Sequence, residues 1–175
     1  MFRNHVFTLS ILSLLVMGQP VTARAADACQ PIYTAFTKIV TTPSHSYSIQ
    51  TAPLVNGQQR SVEVIYVQGK TYMLARGKWM ISPVTPNDVL EQEEENEKQG
   101  KGACQFLRNE SVNGEAAAVY SMRRETDIAS EDGLIWISKT SGLALRKEVD
   151  LAHGEKQAKM HLSARYEYSN VKAPM

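Results

Sequence analysis

From Ala158 to Tyr168 apolar and polar positions alternate: Ala158, Met160, Leu162, Ala164, Tyr166 and Tyr168 fall on one side, Lys159, His161, Ser163, Arg165 and Glu167 on the other. This is the period of a strand with one apolar face and one wet face. Upstream, Gly-Leu-Ile-Trp-Ile-Ser from Gly133 and Leu-Ala-Leu-Arg-Lys-Glu-Val-Asp-Leu to Leu151 read as two more strands, with turns at Gly142 and Gly154. Three strands of an antiparallel meander follow, and their apolar face needs a cover.

The period changes to helical between Gln30 and Thr41, where Ile32, Phe36, Ile39 and Val40 form one stripe, with Pro31 suited to a first turn and Pro43 ending the run. Strand signals resume at Ser44. Tyr47, Ile49 and Thr51 alternate with Ser46, Ser48 and Gln50, and Asn56-Gly57 marks a hairpin. Val62 to Val67, Thr71 to Ala75 and Trp79 to Ile81 are strands joined at Gln68-Gly69 and Arg76-Gly77. Thr85, Pro86 and Asp88 predict a helix start, running to about Gln99 and ending at Gly100. Strands Cys104 to Glu110 and Ala116 to Met122 follow, joined at Asn113-Gly114. The second carries Ala116, Ala118, Tyr120 and Met122 on one face, and Arg123 to Asp132 reads as a charged connection. The pattern gives one α+β domain, with one helix before the sheet and one inserted in it.

Ahead of this domain, the single charge of Arg3, the twelve residues from Val6 to Met17 and the small-x-small site Ala23-Arg24-Ala25 read as a secretory signal peptide over residues 1–25, leaving a domain over 26–175. The apolar run is shorter than the ~20 residues a membrane span needs, and no later segment reaches that length. The chain is nearly neutral, +1, and loss of Arg3 and Arg24 tips the balance to −1, which excludes the basic footprint of a nucleic-acid binder. In an oxidising compartment, Cys29 and Cys104 form the favoured pair, closing a loop of about 75 residues worth roughly 4–5 kcal/mol in the chain-entropy model. The alternative is lipidation of Cys29, against which Ala26 stands where a lipobox prefers Leu.

No reaction chemistry stands out. Glu91, Glu93, Glu94, Glu95 and Glu97 share one helix but not one face, so they read as a solvated surface. His45, His153 and His161 are scattered, without metal-ligand spacing or a nucleophile motif, and read as surface residues. No catalytic residue, metal or cofactor is expected. The aromatic residues, Trp79, Trp136 and the tyrosines at 66, 72, 120, 166 and 168, either fill the core or line an apolar groove, and Met73, Met80, Met122 and Met160 suit both readings.

The order of amphipathic helix, meander with Gly-Lys-Trp, Pro-led helix, Gly-Leu-Ile-Trp-Ile-Ser-Lys-Thr-Ser-Gly-Leu-Ala-Leu-Arg-Lys-Glu-Val and closing Arg-Tyr-Glu-Tyr-Ser-Asn-Val resembles the periplasmic outer-membrane lipoprotein carrier superfamily, LolA/LolB-like. The N-terminal domain of MucB/RseB stress regulators is similar. The resemblance implies an incomplete, highly curved antiparallel β-barrel closed by the two helices, with an acyl chain or lipoprotein held between them and the Pro86–Gln99 helix moving as a lid. Residues implied as lining are Phe36, Ile39, Val64, Tyr66, Met73, Trp79, Val89, Leu90, Tyr120, Trp136, Met160 and Tyr166. The competing expectation is an envelope interaction or stress-sensing protein with the same fold, a filled core and a periplasmic protein partner.

Overall fold

The structure, a computed structural model, describes residues 25–51, 59–99, 101–126, 129–153 and 160–174. Helix α1 spans Ala25–Thr41 and is followed by strands β1 (Ser44–Thr51), β2 (Gln59–Val67), β3 (Lys70–Ala75) and β4 (Lys78–Ile81). Helix α2 (Pro86–Gln99) then leads to β5 (Lys101–Val112), β6 (Glu115–Glu125), β7 (Ala129–Ser138), β8 (Ala144–His153) and β9 (Met160–Glu167). All nine strands pair antiparallel in one open, curved sheet of order β4-β3-β2-β1-β9-β8-β7-β6-β5. The α+β class expected from the pattern and the incomplete barrel implied by the resemblance are the observed architecture. Because β4 and β5 are its two edges, the chain passes from one edge to the other through α2.

Three hairpins turn on residue pairs with both φ values positive: Gln68-Gly69 (53° and 73°), Arg76-Gly77 (52° and 74°) and Asn113-Gly114 (51° and 86°). These are type I′ geometries, whose twist matches that of the flanking strands. The turns expected at Asn56-Gly57 and Gly154, and the helix end at Gly100, lie outside the described residues.

Register assigns the faces, since directly paired residues share a side and neighbours along a strand alternate. Cys104, Tyr120, Met122, Ile135, Ile137, Ala144, Val149, Leu162, Ala164 and Tyr166 lie on one side, and α1 packs there; we call it the helix side. Ile32 and Ala35 of α1 are buried against Ile135, Ile137 and Ala144, with Ile39 beside them. The buried stripe is therefore Cys29, Ile32, Ala35 and Ile39, at helical spacing. Ala35 takes the contact position expected of Phe36, because its small side chain lets the helix approach the sheet, and Phe36 turns toward α2 beside Tyr33 and Leu90. The helix also begins five residues before its expected start, which puts Pro31 inside it. Its C-terminal end is fixed by Lys38, which donates to the Ser141 carbonyl in the β7–β8 turn, and by the Ser44 hydroxyl, which donates to the Ile39 carbonyl at 3.3 Å.

The opposite, outer side carries a second core absent from the sequence reading. Ala117, Val119 and Trp136 are buried there, with Val112, Leu134 and Leu145 around them. The Trp136 indole N–H donates to Glu110, and the Arg146 guanidinium lies 4.6 Å above its ring. At Gly133 a Cβ would come 2.2 Å from the Glu148 carbonyl oxygen and 2.4 Å from Val149 Cγ1, so only glycine fits between β7 and β8.

The stretch read as a charged connection is strand. β6 continues to Glu125 and β7 begins at Ala129, with Thr126 N–H donating to the Ala129 carbonyl at 2.8 Å. Arg124 stands directly opposite Glu131 in this extension. The helix start is as expected: Thr85 N–H and hydroxyl donate to Asp88 Oδ2 (2.7 and 2.8 Å), and Asp88 N–H donates back to the Thr85 oxygen (3.2 Å).

Cys29 and Cys104 are bridged, with Cα atoms 5.1 Å apart across a sequence separation of 75. A bridged Cys29 has no thiol to acylate, so the disulfide reading of this residue holds. The bond pins the N-terminal part of α1 to the edge strand β5. Replacing both cysteines by Ala is expected to lower unfolding free energy by about 2–4 kcal/mol in urea denaturation. Alkylation of the denatured, unreduced protein is expected to add no mass; two labelled thiols would contradict the bridge.

Candidate binding surfaces on the two sides of the sheet

On the helix side, the faces of β9, β1, β2, β3 and β4 extend beyond the core gathered under α1. In cross-strand order one row reads Met80, Met73, Val64, Ser46, Tyr166, and the next Val62, Ser48, Ala164. Val62, Val64 and Tyr66 are half-buried, Met73 is 39% exposed and Met80 56%. Strand β1 supplies only small residues at Ser44, Ser46 and Ser48, between larger ones on β2 and β9. The Ser46 and Ser48 hydroxyls donate to the Val64 and Val62 carbonyls (3.4 and 3.2 Å). With their hydroxyls turned back into the sheet, these serines form a strip of small residues along β1 between larger apolar side chains on β2 and β9, referred to below as the trough. Ser44, almost fully buried at the end of α1, closes one end; Gln50 and Arg60, directly paired, form a polar opposite end about 20 Å away at strand spacing.

Beside this trough, the space beneath α1 is filled by side chains. Toward α2 it contains charge. Glu131, 7% exposed, accepts from Lys147 Nζ at 2.8 Å and from Arg124 Nη2 at 2.7 Å, while Arg124 Nη1 donates to Glu93 of α2 at 2.6 Å. Glu93 is thus an anchor of α2 and departs from the solvated row expected of its neighbours. Burial alone pushes the Glu131 carboxyl up, but Lys147 and Arg124 outweigh it and hold the carboxyl below its ordinary value. Burial likewise disfavours the Arg124 charge, and its bonds to Glu93 and Glu131 raise it on balance. Burial, aided by the negative charge of Glu131, pushes the Tyr166 hydroxyl up to about 12. Tyr168, also raised by burial and then by Tyr166, donates to the Ala144 carbonyl at 2.7 Å.

The twelve lining residues expected from the resemblance divide by position. Val64, Tyr66, Met73, Tyr120, Met160 and Tyr166 share the helix side by register. Ile39 packs in the α1 core, and Phe36 and Leu90 meet between the helices around a cleft of about 140 Å³. Val89 is half-buried on α2. Trp79 and Trp136 point to the outer side, opposite the other sheet residues. Their neighbours in sequence, Met80 and Ile135, take the helix side, so alternation along each strand was the signal to separate them. The small residues Ser46 and Ser48 escaped the sequence reading, which sought large apolar side chains.

On the outer side, an open cleft of about 560 Å³ runs past the strand segments at 47–49, 61–63 and 163–165, with Leu145, Arg146 and the β5–β6 tip at Val112 and Asn113. His45, two residues before Tyr47 on β1, is half-buried: Tyr47 OH is 2.9 Å from its Nδ1, and Trp79 meets its ring edge-on at 6.1 Å. This histidine therefore belongs to an aromatic cluster, a role different from the surface one expected. His161 is exposed and pairs with Asp150 at 2.9 Å. Among the described residues no group of three or more His, Cys, Asp or Glu is arranged to hold a metal ion.

No protein-family model matches the chain, and no curated protein matches it. Among solved structures it resembles the lipoprotein LppX of Mycobacterium tuberculosis, at 8% identity and a TM-score of 0.49, covering 85% of this chain and 99% of that one. It also resembles LprF of Mycobacterium bovis (10%, 0.44, covering 86% and 97%) and a LolA superfamily protein of Nitrosomonas europaea (10%, 0.31, covering 80% and 91%). The superfamily suggested by the sequence pattern is thus represented among its structural likenesses. At these identities and scores, nothing about a ligand is carried across.

Two outcomes follow for the charged network. Glu131→Gln leaves Arg124 and Lys147 half-buried without their carboxylate and is expected to cost roughly 3 kcal/mol in urea denaturation at pH 7. Because the Glu131 carboxyl is depressed in the fold, its contribution is present above the unfolded value of 4.5 and is lost as pH falls through the lower folded value. The gap between wild type and variant is therefore expected to shrink on acidification below pH 4.5; a gap independent of pH would contradict the network.

Proposed function

We propose that this chain is an exported binding protein that holds a hydrophobic chain, the acyl group of a lipid or lipoprotein, in the helix-side trough along β1. The observation that carries the reading is the pair Ser46 and Ser48, whose hydroxyls are spent on strand carbonyls between the apolar walls of Val62, Val64 and Tyr66 and of Leu162, Ala164 and Tyr166. A surface one strand wide and about 20 Å long suits a linear chain better than a compact ligand. Each methylene removed from water contributes up to about 0.8 kcal/mol, and a trough open on one side realises part of that. The polar end at Gln50 and Arg60 receives the head group, and the closed end at Ser44 the tail.

The signal peptide read at residues 1–25 supports a periplasmic setting for this activity, a compartment in which a disulfide such as Cys29–Cys104 persists. Among the described residues no helix is long and apolar enough to cross a membrane. Helix α2, tied by Glu93–Arg124 and by Leu90 against α1, serves as the movable part of the cover. An interaction protein is the second reading. It is favoured by the filled core under α1 and by the exposed Met80, Ile81 and Val84 at and after the edge strand β4, which suit a protein partner.

Titration with a fluorescent fatty-acid probe tests the carrier reading. Wild type is expected to bind saturably, and Ser46→Phe, which fills the trough from its floor, to weaken binding at least tenfold with an unchanged circular dichroism spectrum. Equal affinity in Ser46→Phe, or no saturable binding by wild type, would overturn it.

A further inference from the structure

The outer cleft has a chemistry of its own. Arg146 on β8 and Arg165 on β9 are direct cross-strand partners, so two cationic residues stand side by side on the outer side. Like charges placed so oppose the pairing of their strands. Each guanidinium lies over an aromatic ring, Arg146 at 4.6 Å from Trp136 and Arg165 at 4.4 Å from Tyr47. Stacking orients a guanidinium and leaves its edge N–H groups free to donate. Arg146 has a carboxylate partner in Glu148. Arg165 has none among the described residues.

The surroundings complete a site. Ser61, Ser163 and Asn113 line the cleft, and their side chains make no hydrogen bond among the described residues. Ile49, 48% exposed, with Val112 and Leu145 gives it an apolar wall. The one carboxylate lining it, Glu63, stands 3.4 Å from His45 Nε2 and so is turned toward that ring.

We propose that this cleft binds a small amphiphilic anion, a single carboxylate or phosphate head on an apolar tail. The head sits between Arg146 and Arg165 and accepts from Ser61 or Ser163, and the tail lies along Ile49, Val112 and Leu145. The anion removes the repulsion between the two arginines, and their planar forks match an oxyanion's paired oxygens. This site lies on the opposite side of the sheet from the trough and stands independently of the carrier reading.

Isothermal titration calorimetry on the Ser46→Phe background, in which the trough is filled, with dodecyl phosphate, dodecanoate, inorganic phosphate and dodecanol tests it. At least one charged amphiphile is expected to bind saturably, and at least tenfold more weakly once R165Q or R146Q is added to that background. The tighter of the two amphiphiles names the head group, and arginine-dependent binding of inorganic phosphate alone would identify a free anion as the ligand of the same clamp. Both arginines are exposed, so both variants are expected to keep the wild-type circular dichroism spectrum. Dodecanol binding as tightly as the charged probes, affinity unchanged in both arginine variants, or no binding of any anion would overturn the proposal.

Discussion

A nine-stranded sheet with apolar side chains on its inner face presents more surface than one helix can cover. The strands span about 38 Å at ordinary spacing, whereas a 17-residue helix is about 25 Å long and 10 Å wide. The disulfide fixes α1 at β5, and the Lys38 bond to the β7–β8 turn fixes its other end. The helix is thereby committed to one half of the sheet. Ile135, Ile137 and Ala144 become core, while Val64, Met73 and Met80 stay partly open. The half left uncovered among the described residues is a consequence of where the helix is tied.

The second helix does not resolve this shortage, because charge decides where it goes. A carboxylate as buried as Glu131 is tolerated only with cations at hydrogen-bond distance. Arg124 and Lys147 supply them, and the remaining face of Arg124 takes Glu93 from α2. A helix poor in apolar residues is thus held near β6 and β7 by one ion pair and by Leu90. Such an attachment is specific in position and modest in strength, which suits a part that moves.

The fold was legible because each level agreed: alternation gave the strands, Asn-Gly and Gly-containing pairs gave the turns, and Thr85-Pro86 gave the second helix. The misses have local physical causes. Arg123 to Asp132 contains no apolar alternation, yet Arg124 and Glu131 pair across the strands, so charge carried the register that apolar side chains carry elsewhere. The run Leu134-Ile135-Trp136-Ile137 is apolar without alternation, the mark of a strand buried on both faces. Reading it as one-faced placed Trp136 in the wrong core. The trough depends on small polar residues whose hydroxyls turn inward, a state that composition cannot show. The arginine pair in the outer cleft depends on the β8–β9 register, which is visible only once the strands are aligned.

The central claim, that the uncovered half of the helix side holds an acyl chain, is tested most directly on material that has met its natural ligand. Native mass spectrometry of the protein purified from the envelope of its own cells, followed by lipid extraction, gives the answer. The account predicts an acyl-bearing species bound at a stoichiometry of about one and absent from Ser46→Phe purified the same way. Wild-type protein that carries no acyl species, or a variant that carries as much as wild type, would contradict it.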